Sequence, residues 1–302
     1  MASDFLEIIE VSPRDGIQNE KTILSTEDKL HLIGLARVAG LRRMEVTSFV
    51  NPKRVPQMAD ADAVAAALDK EGPSRWIGLT LNGRGFERAV NAGLHEANFV
   101  VVASDTFNRR NQGVSTEESI AAFAQIAATA PAEIDLAVTV AAAFGCPFEG
   151  EVPLARLMQV VEACMAHGPF ELALADTIGV ATPRDITERV GAVRRAFPDV
   201  PIRLHLHNTR NTGIANAWAG IEAGARSLDA SLGGVGGCPF APRATGNIAT
   251  EDLVYMLERS GVRTGVDLDL AIAAAEWLEG KLGKPVPGMV MKAGGFPAPQ
   301  AA

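Results

Sequence analysis

Short runs rich in β-branched and aliphatic residues recur along the chain, separated by longer Ala-, Leu- and Glu-rich stretches. Eight of the runs read as strands: Phe5–Val11, Arg43–Thr47, Trp76–Leu81, Ala97–Val102, Glu133–Val140, Leu172–Ala175, Ile202–Leu206 and Ser227–Ala230. Several are almost continuously apolar, as parallel strands covered on both faces are. Helix starts fall between them at Ser25 with Asp28 three residues on, at Thr116 before Glu117 and Glu118, and at Thr182-Pro183. The pattern predicts the α/β class and one closed (β/α)8 TIM barrel, with a doubly wound open sheet as the alternative that periodicity does not separate. Helix-like Thr250–Arg259 and Leu268–Leu282 follow the eighth strand, then a Gly/Pro-rich tail from Lys284. The expected organisation is a single catalytic domain over residues 1–302: a barrel over about 5–262, then a helical extension and tail over 263–302. That tail closes a barrel face, acts as a lid, or is disordered.

Composition changes this picture little. A length of 302 residues, 47% hydrophobic and 21% charged, suits a globular core that needs no disulfide support. Cys146, Cys164 and Cys238 are odd in number and far apart, which argues against a disulfide framework. The formal charge of −8 disfavours nucleic acid and membrane surfaces, so a polyanionic ligand would need a local basic patch. No apolar run reaches the roughly 18 residues of a membrane span. Met1 to Glu7 has neither a basic nor an apolar export region. The expectation is a soluble, reduced, cytoplasmic protein with no nucleic-acid and no membrane partner.

Four segments carry chemistry. Ser12-Pro13-Arg14-Asp15-Gly16 follows the first strand, at the barrel face where active sites collect. There an Asp can ligate a cation while its neighbouring Arg neutralises an oxyanion; a plain turn is the alternative. Glu45 lies inside an apolar strand, so if it points inward it needs a partner, and Arg14 is the natural one. Lys53 and Arg54, with Arg109 and Arg110 in another loop, offer a basic rim for nucleotide phosphates, or are simply solvated. His205 and His207 are two of five histidines, and their i, i+2 spacing on a strand sends both imidazoles to one face. With carboxylate and amide oxygens this suits Mg²⁺, Mn²⁺ or Co²⁺, with Zn²⁺ also possible; two core histidines without metal are the alternative. Last comes the loop Gly233-Gly234-Val235-Gly236-Gly237-Cys238, whose Cys238 is a candidate acid or nucleophile. Asn247, just beyond, is either a helix cap or a source of a metal-binding amide oxygen.

These segments resemble the 3-hydroxy-3-methylglutaryl-CoA lyase family of metal-dependent TIM barrels. The likeness runs from about Phe5 to Gly283 and includes SPRDGIQNEK, EVTSFVNPKRVPQMAD, GCPFEG, LADTIGVATP, HLH and GGVGGCPFAPRATGNIATEDLVYML. It implies a divalent cation held by Asp15, His205, His207 and Asn247. Arg14 would stabilise an acetyl-CoA enolate, Glu45 would brace Arg14, and His205 and Cys238 would complete the catalytic set. Gln18, Ser48 and Asp176 match polar substrate-facing positions, and Lys53, Arg54, Asn208 and Arg210 complete the expected substrate-binding set. The resemblance also implies an acyl-CoA substrate, a homodimer and a part in leucine degradation.

The chain departs from the family pattern at two places. After the second histidine the family usually has Asp-Thr-Tyr-Gly-Gln, where this chain has Asn208-Thr209-Arg210-Asn211-Thr212. On the fifth strand Arg-Gly-Tyr-Val-Ser-Cys is replaced by Ala137-Val138-Thr139-Val140-Ala141-Ala142. Such losses alter acyl specificity more than reaction type. The expected reaction is retro-Claisen cleavage of 3-hydroxy-3-methylglutaryl-CoA. Citramalyl-CoA or a longer branched homologue is the alternative substrate, and a catalytically silent metal- or CoA-binding homologue the alternative of another class. A synthase would ordinarily carry further domains, and a carboxyltransferase would want a barrel lysine that this chain lacks.

Overall fold

In the computed structural model, which describes residues 5–237 and 246–296, eight parallel strands close into a barrel. They are β1 (Glu7–Glu10), β2 (Arg43–Ser48), β3 (Arg75–Thr80), β4 (Glu96–Val102), β5 (Asp135–Ala141), β6 (Glu171–Asp176), β7 (Ile202–Leu206) and β8 (Ser227–Ala230). Consecutive strands are neighbours and β8 returns to β1, so the open-sheet alternative is excluded. Each predicted strand is present, with ends displaced by a residue or two.

The helices follow in turn: α1 (Thr26–Val38), α2 (Ala61–Ala66), α3 (Gly83–Asn91), α4 (Asp105–Gln112), α5 (Thr116–Thr129), α6 (Leu154–Met165), α7 (Pro183–Ala196), α8 (Gly213–Ala223), α9 (Thr250–Arg259), α10 (Leu268–Leu282) and α11 (Val290–Ala293). Ser25 and Thr182 cap α1 and α7 as expected. The cap of α5 is Ser115, not Thr116: Ser115 forms a reciprocal capping box with Glu118, while the Thr116 hydroxyl donates to the Val102 carbonyl at 2.9 Å. Asn247 does not cap α9, whose first residue follows Ala249. Part of the tail covers the barrel mouth, since Gly288 N–H donates to Gly233 O at 2.9 Å and Val286 packs on Gly233.

The apolar strand faces pack outward against the helices in one large core. Among the described residues, Ile9, Val11 and Ile77 form a separate small apolar cluster inside the barrel. The floor is ionic. Arg43 donates to both Glu96 oxygens and to both oxygens of Glu171, at 2.7–3.0 Å, and also reaches Glu7. Charges this deep in a barrel are tolerated only because each is paired.

Candidate active site

The chain leaves β1 through one π-turn, Ser12–Gly16, closed by the Gly16 N–H to Val11 O bond of 3.1 Å. Gly16 is required there, because a Cβ would sit 2.7 Å from both Ser231 Oγ and Val235 Cγ2. The turn aims Arg14 into the barrel mouth. Its Nε donates to Glu45 Oε2 at 2.5 Å and its Nη1 to Asp15 Oδ1 at 2.6 Å. Glu45 does point inward and is fully buried. Its other oxygen accepts from Asn98 Nδ2 at 3.0 Å, and Asn98 Oδ1 in turn accepts from Thr139 Oγ1 at 2.8 Å.

The histidine pair stands beside this ion pair. His205 and His207 present their Nε2 atoms to one another at 3.1 Å, and Asp15 Oδ2 lies 3.9 Å from His205 Nε2. The fourth expected partner arrives because the chain re-enters after the glycine-rich loop and pairs with strand ends: Ile248 N–H donates to Leu206 O at 3.1 Å and Ser231 N–H to Ile248 O at 3.0 Å. Asn247 thereby bridges to His207, and its Nδ2 donates to Asp15 Oδ2 at 2.8 Å and to Val235 O at 3.0 Å. Gly236, at φ +132°, makes room, since a Cβ there would collide with the Asn247 amide.

Burial and neighbouring charge set the protonation of this group. Burial alone would raise the Asp15 carboxyl, but the Arg14 guanidinium and the two imidazoles overcome it and hold the group well below the usual carboxylate range. Burial, with the charge of His205, pushes His207 down to about 4. His205 goes the other way: burial lowers it, but the hydrogen bond to Asp229 and the charge of Asp15 raise it overall.

The donor set fits a divalent cation. Among the described residues, Asp15, His205 and His207 are the group whose ligand atoms all lie within 4.8 Å of one another. Two Nε2 atoms 3.1 Å apart cannot both carry hydrogen, so at least one presents a bare lone pair. Asn247 Oδ1 is buried with no hydrogen-bond partner, an acceptor left for a ligand. His205 is oriented from behind, its Nδ1 2.9 Å from Asp229 Oδ2, an arrangement that fixes the tautomer of a metal-binding imidazole. Asp229 is held in turn by Arg203 Nε at 2.5 Å and Nη2 at 2.9 Å.

Other expected residues are placed as follows. Gln18 and Ser48 meet at the mouth, with Ser48 Oγ 3.4 Å from Gln18 Oε1. Asp176 closes the loop after β6, accepting from Val180 N–H at 2.9 Å and Ala181 N–H at 3.0 Å. Arg210 donates to the Ile178 and Gly179 carbonyls of that same loop, both at 2.9 Å. Asn208 Oδ1 accepts from Gly213 N–H at 3.0 Å, closing its own loop. Lys53 and Arg54 are exposed on the rim, where Arg54 donates to Asn111 O at 3.1 Å. Arg109 is tied to Asp105 and Arg110 stacks on Phe148. Cys238 lies outside the described residues. Sequence reasoning missed Asn98, Asp229 and Arg203; the signal was available, since each is a polar residue at an inward position of an apolar strand.

A closed parallel barrel with an Asp/His/His cluster and a buried Arg–Glu pair at the strand ends is the architecture of a TIM-barrel enzyme. A family profile described as HMGL-like matches residues 5–277. The chain is 45% identical to (R)-citramalyl-CoA lyase of Chloroflexus aurantiacus, over 95% of this chain and 94% of that protein. It is 42% identical to a hydroxymethylglutaryl-CoA lyase of Bacillus subtilis, over 93% of this chain and 94% of that one. The solved structure of an HMG-CoA lyase from Acinetobacter baumannii, in complex with coenzyme A and 3-methylmalate, superposes with a TM-score of 0.93 at 40% identity, covering 99% of this chain and 100% of that one. The chain belongs to the HMGL-like family and is a carbon–carbon lyase.

Proposed function

We propose that the protein cleaves 3-hydroxy-3-methylglutaryl-CoA to acetyl-CoA and acetoacetate. The observation that carries this reading is the convergence of Asp15, His205 and His207 within 4.8 Å, beside an Arg14 held by Glu45. Asp15, His205, His207 and Asn247 would hold a divalent cation, Mg²⁺ or Mn²⁺ by the predominance of oxygen and imidazole donors. Bound there, the cation would orient the substrate's 3-hydroxyl and carboxylate and make that hydroxyl more acidic.

The protein's own groups account for the rest. A base in this cluster takes the hydroxyl proton, C3 becomes a ketone, and the C2–C3 bonding pair passes to C2 as the enolate of acetyl-CoA. Arg14 faces that charge with its guanidinium already oriented by Glu45 and Asp15, so little reorganisation is needed when the charge develops. A proton from the segment carrying Cys238, or from water, converts the enolate to acetyl-CoA. Lys53 and Arg54, exposed on the rim with α4 beside them, supply positive charge where coenzyme A phosphates would lie.

A second substrate, citramalyl-CoA, is favoured by the Chloroflexus relative. The same steps would then give pyruvate and acetyl-CoA. We further assign the protein to the cytoplasm, to leucine degradation and to a homodimeric state; among its described residues no helix is long and apolar enough to cross a membrane. The test is acetyl-CoA release from both thioesters with Mg²⁺, Mn²⁺ or EDTA. Release that requires metal and favours the glutaryl substrate is expected. Preference for citramalyl-CoA selects the second reading, and metal binding without any release rejects both.

A further inference from the structure

Glu10 ends β1 and is wholly buried, and among the described residues its carboxyl meets hydrogen-bond donors rather than a cation. Its Oε1 accepts the Ser12 N–H at 2.8 Å and the Leu232 N–H at 3.1 Å, and its Oε2 accepts the Thr250 hydroxyl at 2.7 Å. Ser12 opens the π-turn after β1, Leu232 opens the turn after β8, and Thr250 opens α9. Each of the three lies three residues along the chain from one member of a single contact: Asp15, Val235 and Asn247 respectively. In that contact Asn247 Nδ2 donates to Asp15 Oδ2 at 2.8 Å and to Val235 O at 3.0 Å, while Asn247 Oδ1 is left without a partner. The imidazoles need no such arrangement, because His205 lies on β7 and His207 directly follows it. Asp15 and Asn247 are 232 residues apart in the chain and both lie outside the barrel strands. A carboxyl buried without a counter-ion is tolerated only where donors satisfy it, and here every donor belongs to a segment outside those strands.

We infer that Glu10 is a positioning residue whose carboxyl clamps the π-turn, the turn after β8 and the start of α9 together, and so holds Asp15 and Asn247 at the spacing a divalent cation needs. The inference rests on the cation reading of that site and not on the choice of thioester. Between each clamp point and its oxygen donor the backbone has little freedom. The π-turn is closed by Gly16 N–H to Val11 O, and Asn247 is followed by Ile248, which bonds to Leu206 O and to Ser231 N–H. Releasing the clamp therefore moves the donors as units rather than bending the segments that carry them. Groups that orient metal ligands from behind commonly govern affinity by roughly 10–100-fold. The clamp depends on acceptor geometry and not on charge. A glutamine would keep one oxygen for both N–H groups, and the Thr250 hydroxyl could turn to accept from its amide.

The test is titration of the EDTA-stripped protein with Mn²⁺, followed by electron paramagnetic resonance, which gives both Kd and the number of sites. It is run on the wild type, Glu10→Leu, Thr250→Val, Glu10→Gln and Phe123→Leu; the last loosens the core on α5, where Phe123 packs on Phe99 outside the clamp. Unfolding removes sites, whereas a loosened clamp raises Kd at one site per chain. Glu10→Leu is expected to raise Kd about tenfold or more and Thr250→Val about threefold, with Glu10→Gln and Phe123→Leu within about twofold of the wild type. Where Glu10→Leu does not fold, Thr250→Val decides. A wild-type Kd in Thr250→Val overturns the clamp. A Kd raised in Glu10→Gln as far as in Glu10→Leu overturns it too, since charge and not geometry would then matter. A matching rise in Phe123→Leu assigns the effect to general loosening and overturns it likewise. A wild type that binds no Mn²⁺ overturns the cation reading itself, and the clamp falls with it.

Discussion

Arg14 sits between two carboxylates, Glu45 and Asp15, and only 7% of it is exposed. A guanidinium so constrained can serve charge that develops late, which is where an oxyanion-stabilising group acts. Arg14→Met is therefore expected to bind Mn²⁺ like the wild type, read by electron paramagnetic resonance, while kcat falls at least a hundredfold. The substitution also strands Glu45 as a buried charge, at a cost of about 3–5 kcal/mol. Adding Glu45→Gln should recover melting temperature but not turnover. Near-wild-type kcat in either variant removes Arg14 from the role. Asn98 acts one step further back. Asn98→Ala leaves a Glu45 oxygen and the Thr139 hydroxyl without their partner. It should cost about 1–3 kcal/mol in urea unfolding, and it should lower kcat more than it raises KM, because Glu45 no longer holds the arginine still.

At the level of elements, what the sequence made legible was the strand, not the inner face of the strand. Phe99, Val101 and Val138 face the helices and make β4 and β5 read as apolar runs. Asn98 and Thr139 hide among them as inward polar positions, and Asp229 does the same between Leu228 and Ala230 of β8. The candidate metal-ligating residues were legible because His205 and His207 share a parity and Asp15 follows a strand directly. Asn98, Arg203 and Asp229 were not, because their partners lie on other strands, up to 53 residues away in the case of Glu45 and Asn98.

The loop after β7 shows the same limit. Asn211 stands at φ +57°, a left-handed position that Asn tolerates, while Arg210 reaches back to the loop after β6. Asn211→Gly should leave the melting temperature nearly unchanged, whereas Asn211→Val should cost about 1–2 kcal/mol. Since Asn208 N–H also bonds to Gly246 O at 2.9 Å, the Val variant should weaken Mn²⁺ binding as well. Equal stability of the two variants would show that this loop is not held in its left-handed turn.

Across the whole molecule, two sets of buried carboxylates pull stability in opposite directions with pH. On the barrel floor, burial would raise Glu96, but Arg43 and Arg75 overcome it and lower its pKa. Its contribution is present above the ordinary value near 4.5 and is lost as pH falls through the depressed value. Under the mouth, Glu251 has no such cation among the described residues. Burial raises its pKa to about 8, with one oxygen accepting from Gly233 N–H at 3.1 Å and the other unpartnered. Its contribution is therefore complete below about 4.5 and is lost as pH rises through about 8. Glu10, raised by burial as well, acts in the same direction. The fold should be most stable on the mildly acidic side of neutrality and weaken in alkali from the mouth, where Gly233 ties the glycine-rich turn to Gly288 of the tail. Glu251→Gln keeps an acceptor for Gly233 but cannot ionise. Its urea midpoint should match the wild type at pH 5 and exceed it at pH 9, with a shallower decline between. A wild-type midpoint that holds steady from pH 5 to 9, or a variant that falls in parallel with it, would mean that ionisation of Glu251 does not weaken the mouth.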